Sequence, residues 1–220
     1  MSSSPGLKDP YGSYYTPRKL TNLLVSRLEL PTSDELRGRP LVAVEPGFGG
    51  GDFLHPLLGR ADVVHAYEID EDALGWEEDF EQHPGELQAY FESFLEADKP
   101  AEVVDIVVQN PPFHLAEEFV DKALEWSDHV HVLQRAGFAE GFNRHEWWES
   151  LPLRKVTLLI PRLNFRRKVY VKDKETGEWF WSGAWTSKGG DSAAYQMYEF
   201  DKTKAKWDTQ FRRLKWRGPK

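Results

Sequence analysis

Five short apolar runs recur at intervals: LVAVE (Leu41 to Glu45), VVHAYE (Val63 to Glu68), QAYFESF (Gln88 to Phe94), VVDIVV (Val103 to Val108) and HVHVLQ (His129 to Gln134). Helical stretches alternate with them: DFLHPLLG from Asp52, a segment from Asp70 to about Gln82, and another from about Leu115 to Trp126. Such alternation restricts the chain to βαβ units, and hence to an α/β fold with a mostly parallel sheet and helices on both faces. Upstream, Thr16 and Pro17 read as the N-cap and first-turn proline of a helix carrying Leu20, Leu23, Leu24 and Leu28 and ending near Leu30; residues 31–40 read as a polar connector. Beyond Trp148 the pattern changes. RKVTLLI (Arg154 to Ile160), a hairpin within Val169 to Trp185, and AAYQMYEF (Ala193 to Phe200) follow with little helix between them, which predicts an antiparallel C-terminal edge. The expected whole is one domain with a seven-stranded sheet, residues 1–150 holding the binding and catalytic part and residues 151–220 completing it.

Composition removes several kinds of chemistry. The 220 residues include no cysteine, so disulfides, thiolate metal sites and thiol nucleophiles are excluded. No apolar run reaches the roughly 18 residues that span a bilayer. The start, MSSSPGLKDPYG, lacks a signal pattern, so a cytoplasmic protein with no membrane partner is expected. The net charge of -8 hides a division: residues 1–150 carry 11 Lys and Arg against 29 Asp and Glu, and residues 151–220 carry 17 against 7. Seven of the nine tryptophans also lie beyond residue 145. Interleaved basic and aromatic residues suit a surface that neutralises phosphates and stacks on bases. Composition alone favours the plainer alternative, an aromatic-rich sheet with solvated lysines.

In an open α/β sheet, ligands bind beyond the carboxyl ends of the strands. The first run ends in EPGFGGG, where Gly47, Gly49, Gly50 and Gly51 let the backbone approach a ligand closely. The second ends in YEID, with Glu68 placed 23 residues after Glu45, near the spacing of a ribose-binding carboxylate. These glycines do not fit G-x-G-x-x-G, and Glu45 beside the loop would repel a pyrophosphate. A cationic or hydrogen-bond-donating ligand suits it better. The fourth run ends in NPPF, Asn110 to Phe113, where two prolines must stop the strand.

In this order, YYTP (Tyr14 to Pro17), EPGFGGG, YEID and NPPF resemble the DNA adenine-N6 methyltransferases of the Rossmann-like class I S-adenosylmethionine-dependent fold. The resemblance spans roughly Tyr14 to Gln134 and has the gamma-like motif order. VLQRAGFAEG, IPRLNFR and the Tyr195 to Lys202 strand look more narrowly like small phage or prophage enzymes. The resemblance implies S-adenosyl-L-methionine as cofactor, DNA as partner and N6 of adenine as methyl acceptor. It implies that Asn110, Pro111, Pro112 and Phe113 are catalytic, with the Asn110 side-chain oxygen and the Pro111 carbonyl accepting from the target amine and Phe113 stacking on the base. Cofactor contacts are implied for Tyr15, Thr16, Pro17, Glu45, Gly47, Gly49, Glu68 and Asn110. One departure stands out. Where the family carries an aspartate in D-F-L, this chain has ESFL, so either Ser93 takes that contact or the register slips by one to Glu92.

The base must be extruded from a duplex or come from a single strand. Lacking cysteine, the chain cannot form the covalent adduct of cytosine-C5 methylation. RNA adenine and protein glutamine methyltransferases also use Asn-Pro-Pro-aromatic, and a non-catalytic nucleic-acid-binding subunit is a third reading, which the intact NPPF and glycine loop disfavour. Nucleic-acid contact is expected of Arg162, Arg166, Arg167 and Lys168, and target choice of the hairpin, this basic segment or a protein specificity subunit. His129 and His131 share a strand face without a third ligand, so no metal is expected. Tyr195 and Tyr198 are expected to pack.

Overall fold

The computed structural model describes residues 15–71, 73, 80–141, 144–163, 165, 167–174, 176–177, 179–186, 193–204 and 209–216. The five runs mark β1 (Val42–Pro46), β2 (Val63–Tyr67), β3 (Glu86–Tyr90), β4 (Ile106–Gln109) and β5 (His129–Arg135), but β3 starts before the expected Gln88 to Phe94 and shares only residues 88–90 with it. They pair in parallel in the order β5-β4-β1-β2-β3, so the chain steps outward from β1 to β3 and returns to β1's other side as β4. That reversal leaves a crevice above the carboxyl ends of β1 and β4. The C-terminal strands β6 (Leu153–Ile160) and β9 (Tyr195–Asp201) extend the sheet, with β9 antiparallel to both β5 and β6. The hairpin forms separately from β7 (Arg167–Lys172) and β8 (Trp179–Thr186).

The sheet has eight strands, one more than expected, because β10 (Gln210–Lys215) pairs in parallel with β6 at the edge. Only Leu214 of this strand is buried, so QFRRLK offers no apolar run to betray it.

One face of the sheet is covered by α1 (Arg18–Val25) and α3 (Leu54–Leu58), which sink Leu20, Leu24, Leu54, Leu57 and Leu58 into a shared core. The other is covered by α4 (Ala116–Trp126) through Phe119, Val120, Ala123 and Trp126. Each fully buried leucine contributes about 1.5–3 kcal/mol. Pro17, not Thr16, is the N-cap of α1: its carbonyl accepts from the Leu20 and Thr21 N–H groups, and the Thr16 hydroxyl is used elsewhere. Two further helices escaped the periodicity reading. Within the connector, α2 (Ser33–Leu36) is held by a reciprocal Thr32–Glu35 capping box, and α5 (His145–Ser150) buries none of its residues. Of the helix expected over 70–82, the described Asp70, Glu71 and Ala73 are not helical, Phe80–Gln82 forms a 3-10 turn, and the rest lies outside the described residues.

At the opposite, N-terminal ends of the strands, two carboxylates, Asp105 buried and Asp62 exposed, tie the strand starts together. Asp105 accepts two guanidinium hydrogen bonds from Arg39, at 2.7 and 2.6 Å, and one from the Val42 N–H at 2.9 Å. Asp62 accepts from the Leu41 N–H at 2.7 Å. Among the described residues, no helix is long and apolar enough to cross a membrane.

Candidate functional site

A cavity of about 220 Å³ opens at the crevice above β1 and β4. Gly47 and Phe48, just past β1, both donate their N–H groups to the Tyr67 carbonyl, which lashes the glycine loop to β2. Glu68 completes the join, accepting from the Gly49 N–H at 2.7 Å and the Asp70 N–H at 2.9 Å. Gly49 has a φ of +51°, and a Cβ there would lie 3.4 Å from the Tyr15 ring. The loop therefore needs glycine both for its backbone and for its closeness to residue 15.

Glu45 sits on the floor, 2% exposed, and its Oε2 has no hydrogen-bond partner. Burial pushes its carboxyl well above the ordinary value, and the neighbouring Asp52 and Glu68 carboxylates push the same way. Burial also raises Glu68, against the lowering effect of the N–H groups it accepts. Three buried carboxylates around one small cavity make a place where a cation is stabilised and an anion is not.

β4 ends in Gln109, and the NPPF corner follows. The Asn110 Nδ2 donates to the Thr16 hydroxyl at 3.2 Å, joining the fourth strand end to the segment before α1. Because a hydroxyl has taken the amide nitrogen, the carbonyl end of the same amide points the other way. The Pro111 carbonyl does not serve the cavity alone: it accepts a long hydrogen bond, 3.4 Å, from the buried Gln134 Nε2. A carbonyl has two lone pairs, so a second donor can still be accepted.

Tyr15, Thr16, Glu45, Gly47, Gly49, Glu68, Glu92, Ser93, Asn110, Pro111, Pro112 and Phe113 all line this cavity. Pro17 does not; it caps α1 instead. Glu92 is exposed and Ser93 half-buried at the rim, so both alternatives for the departed aspartate are within the wall. Asp52, Phe48, Ile69 and Leu95 also line it and were missed. Asp52 was read only as the start of a helix, although an acid directly after a glycine run was a signal. Ile69, 56% exposed beside Glu68, had none beyond its position.

Arg162 is exposed and does not line the cavity, and Arg167 and Lys168 open β7, whereas Arg166 lies outside the described residues. Part of the tryptophan excess packs in or against the core. Trp147 and Trp148 pack edge-on around Phe138, and Trp216 is buried with its indole N–H on the Pro161 carbonyl. His131 is buried and pushed down to about 3, chiefly by desolvation, and no group of three metal-ligating side chains occurs among the described residues. Tyr195 and Tyr198 are packed in the core, as expected.

No family model and no curated protein matches the sequence. Solved structures do match the fold. A provisionally assigned RNA methyltransferase from Pyrococcus horikoshii gives a TM-score of 0.58 at 20% identity, over 91% of this chain and 93% of that one. The 23S rRNA methyltransferase ErmE gives 0.55 at 19%, over 88% and 71%. A provisionally assigned class I S-adenosylmethionine-dependent methyltransferase from Listeria monocytogenes gives 0.59 at 12%, over 96% and 68%. The chain has the α/β fold of the class I methyltransferases.

Proposed function

We propose that this protein is an S-adenosylmethionine-dependent methyltransferase acting on the exocyclic N6 amine of adenine in nucleic acid, with DNA as the favoured polymer. The observation that carries this reading is the juxtaposition of NPPF with a buried, unpartnered Glu45 oxygen in one cavity. When bound, the cofactor supplies a methyl group on a positively charged sulfur, activated for displacement. Glu45 suits the cationic methionyl end, and Glu68, held by two backbone N–H groups, suits ribose hydroxyls beside it. Ile69 and Leu95 offer apolar faces to a purine ring.

On the acceptor side, the Asn110 and Pro111 oxygens form a pair of acceptors for the two N–H bonds of an NH₂ group. Accepting both favours a pyramidal nitrogen whose lone pair is free to attack the methyl carbon in line. The prolines hold this geometry before substrate arrives, which lowers the cost of orientation. Phe113 supports the extruded base, and the amine's surplus proton passes to water after transfer. RNA is the second reading, because ErmE and the Pyrococcus protein are RNA methyltransferases by name.

The test is incubation with isotopically labelled cofactor and a mixture of DNA, RNA and protein, followed by mass spectrometry of the digested products. N6-methyl-2′-deoxyadenosine from DNA is the expected result, and N6-methyladenosine from RNA would favour the second reading. Label found only in glutamine overturns the nucleic-acid reading, and Asn110→Ala is expected to cut transfer at least about a hundredfold.

A further inference from the structure

We propose that Gln134 and Arg135, consecutive residues at the end of β5, form a positioning bracket that braces the NPPF corner from behind; the proposal rests on the reading of that corner as the amine site. Gln134 is 1% exposed. Its Oε1 accepts the Arg135 backbone N–H at 3.0 Å, and its Nε2 donates to the Pro111 carbonyl at 3.4 Å. A backbone N–H can only donate, so the first bond dictates which end of the amide faces Pro111. The direction of that carbonyl is thus set by a second strand, independently of the two prolines.

Arg135 braces the other half of the corner. Its guanidinium carbon stands 3.9 Å from the centre of the Phe113 ring, and its Nε donates to the Tyr195 hydroxyl at 3.4 Å. Phe113 belongs to the cavity wall and Arg135 does not, so a base entering the cavity is left the ring face that the guanidinium does not cover. A planar cation at that distance holds the ring in one orientation and draws its π-density backward, which leaves the front face better suited to an electron-rich purine. Tyr195, buried on β9 and packed edge-on against Phe165, anchors the arginine in turn. One dipeptide therefore controls both the acceptor oxygen and the stacking ring.

The experiment compares Gln134→Leu, Gln134→Glu, Arg135→Ala and Arg135→Lys with wild type, reading kcat, KM for nucleic acid, cofactor affinity and thermal melting on the same samples. Gln134→Leu is expected to lower kcat about tenfold to a hundredfold with cofactor affinity unchanged. Gln134→Glu, which turns a carboxylate oxygen on the Pro111 carbonyl, should lower it at least as much. Arg135→Ala is expected to raise KM for nucleic acid, with partial recovery in Arg135→Lys, which keeps the charge and loses the plane. Wild-type kinetics in Gln134→Leu and Arg135→Ala would overturn the bracket and leave the methyltransferase reading standing. Should Gln134→Leu melt near the assay temperature, the half-buried Arg135 pair decides alone: unchanged KM and kcat in Arg135→Ala reject the bracket. Absence of methyl transfer by wild type to any adenine would remove the underlying reading, and the bracket with it.

Discussion

At the scale of single residues, Glu45 carries the clearest consequence. Its carboxyl is raised above 4.5 by burial and by two like charges. A raised carboxyl favours the fold while protonated, so Glu45 stabilises the ligand-free protein at low pH and loses that contribution as pH climbs through its raised value. Cation binding needs the ionised form, so cofactor affinity should rise over the same window and binding should release a proton. Calorimetric titration in buffers of differing ionisation enthalpy measures this; Glu45→Gln should abolish the release, weaken binding and stabilise the ligand-free protein at neutral pH. A wild-type enzyme that binds cofactor without proton exchange across that window would contradict it. Glu45 and NPPF were legible in sequence because a charge or a proline pair at a strand end breaks a strong pattern. Thr16 is a site residue through the resemblance alone; by itself its hydroxyl looks like a helix cap, and only the fold reveals that Asn110, 94 residues away, donates to it. Gln134 was equally silent, since a polar residue ending a strand looks like ordinary solvation.

At the scale of elements, the turn after β1 is the part whose form the sequence specified most fully. Gly49 holds a φ that costs an L-residue about 1–2 kcal/mol, and the Tyr15 ring stands where a side chain would begin. Gly49→Ala is expected to lower Tm by a few degrees and to weaken cofactor binding; an unchanged calorimetric affinity would show that the turn tolerates a Cβ. The parallel strands were readable for a related reason, each being an apolar run with turn signals at its end. β10 was not, because an edge strand with one buried residue has no periodicity to show. Likewise, α2 is held by its capping box and not by an apolar stripe, so helical spacing of apolar residues does not reveal it.

At the scale of the whole molecule, charge is divided between the acidic first 150 residues and the basic remainder. On the proposed function, a polyanion would be steered toward the C-terminal part while the carboxylate-lined cavity would repel it, restricting entry to an extruded base. Binding should weaken as salt rises, with log affinity falling by about 0.9 per phosphate neutralised. Arg162→Glu is expected to lower nucleic-acid affinity and flatten that slope while leaving cofactor affinity intact, as read by fluorescence anisotropy across a salt series. Equal slopes for variant and wild type would remove Arg162 from the contact surface. Strand order has its own outcome. β9 is wedged between β5 and β6, and its Tyr195 meets Arg135 across 60 residues of sequence. A ribosome that stalls after β6 would therefore release a polypeptide with a raw hydrogen-bonding edge on β5 and no tyrosine to anchor Arg135 beside Phe113, a product destined for proteolysis or clumping.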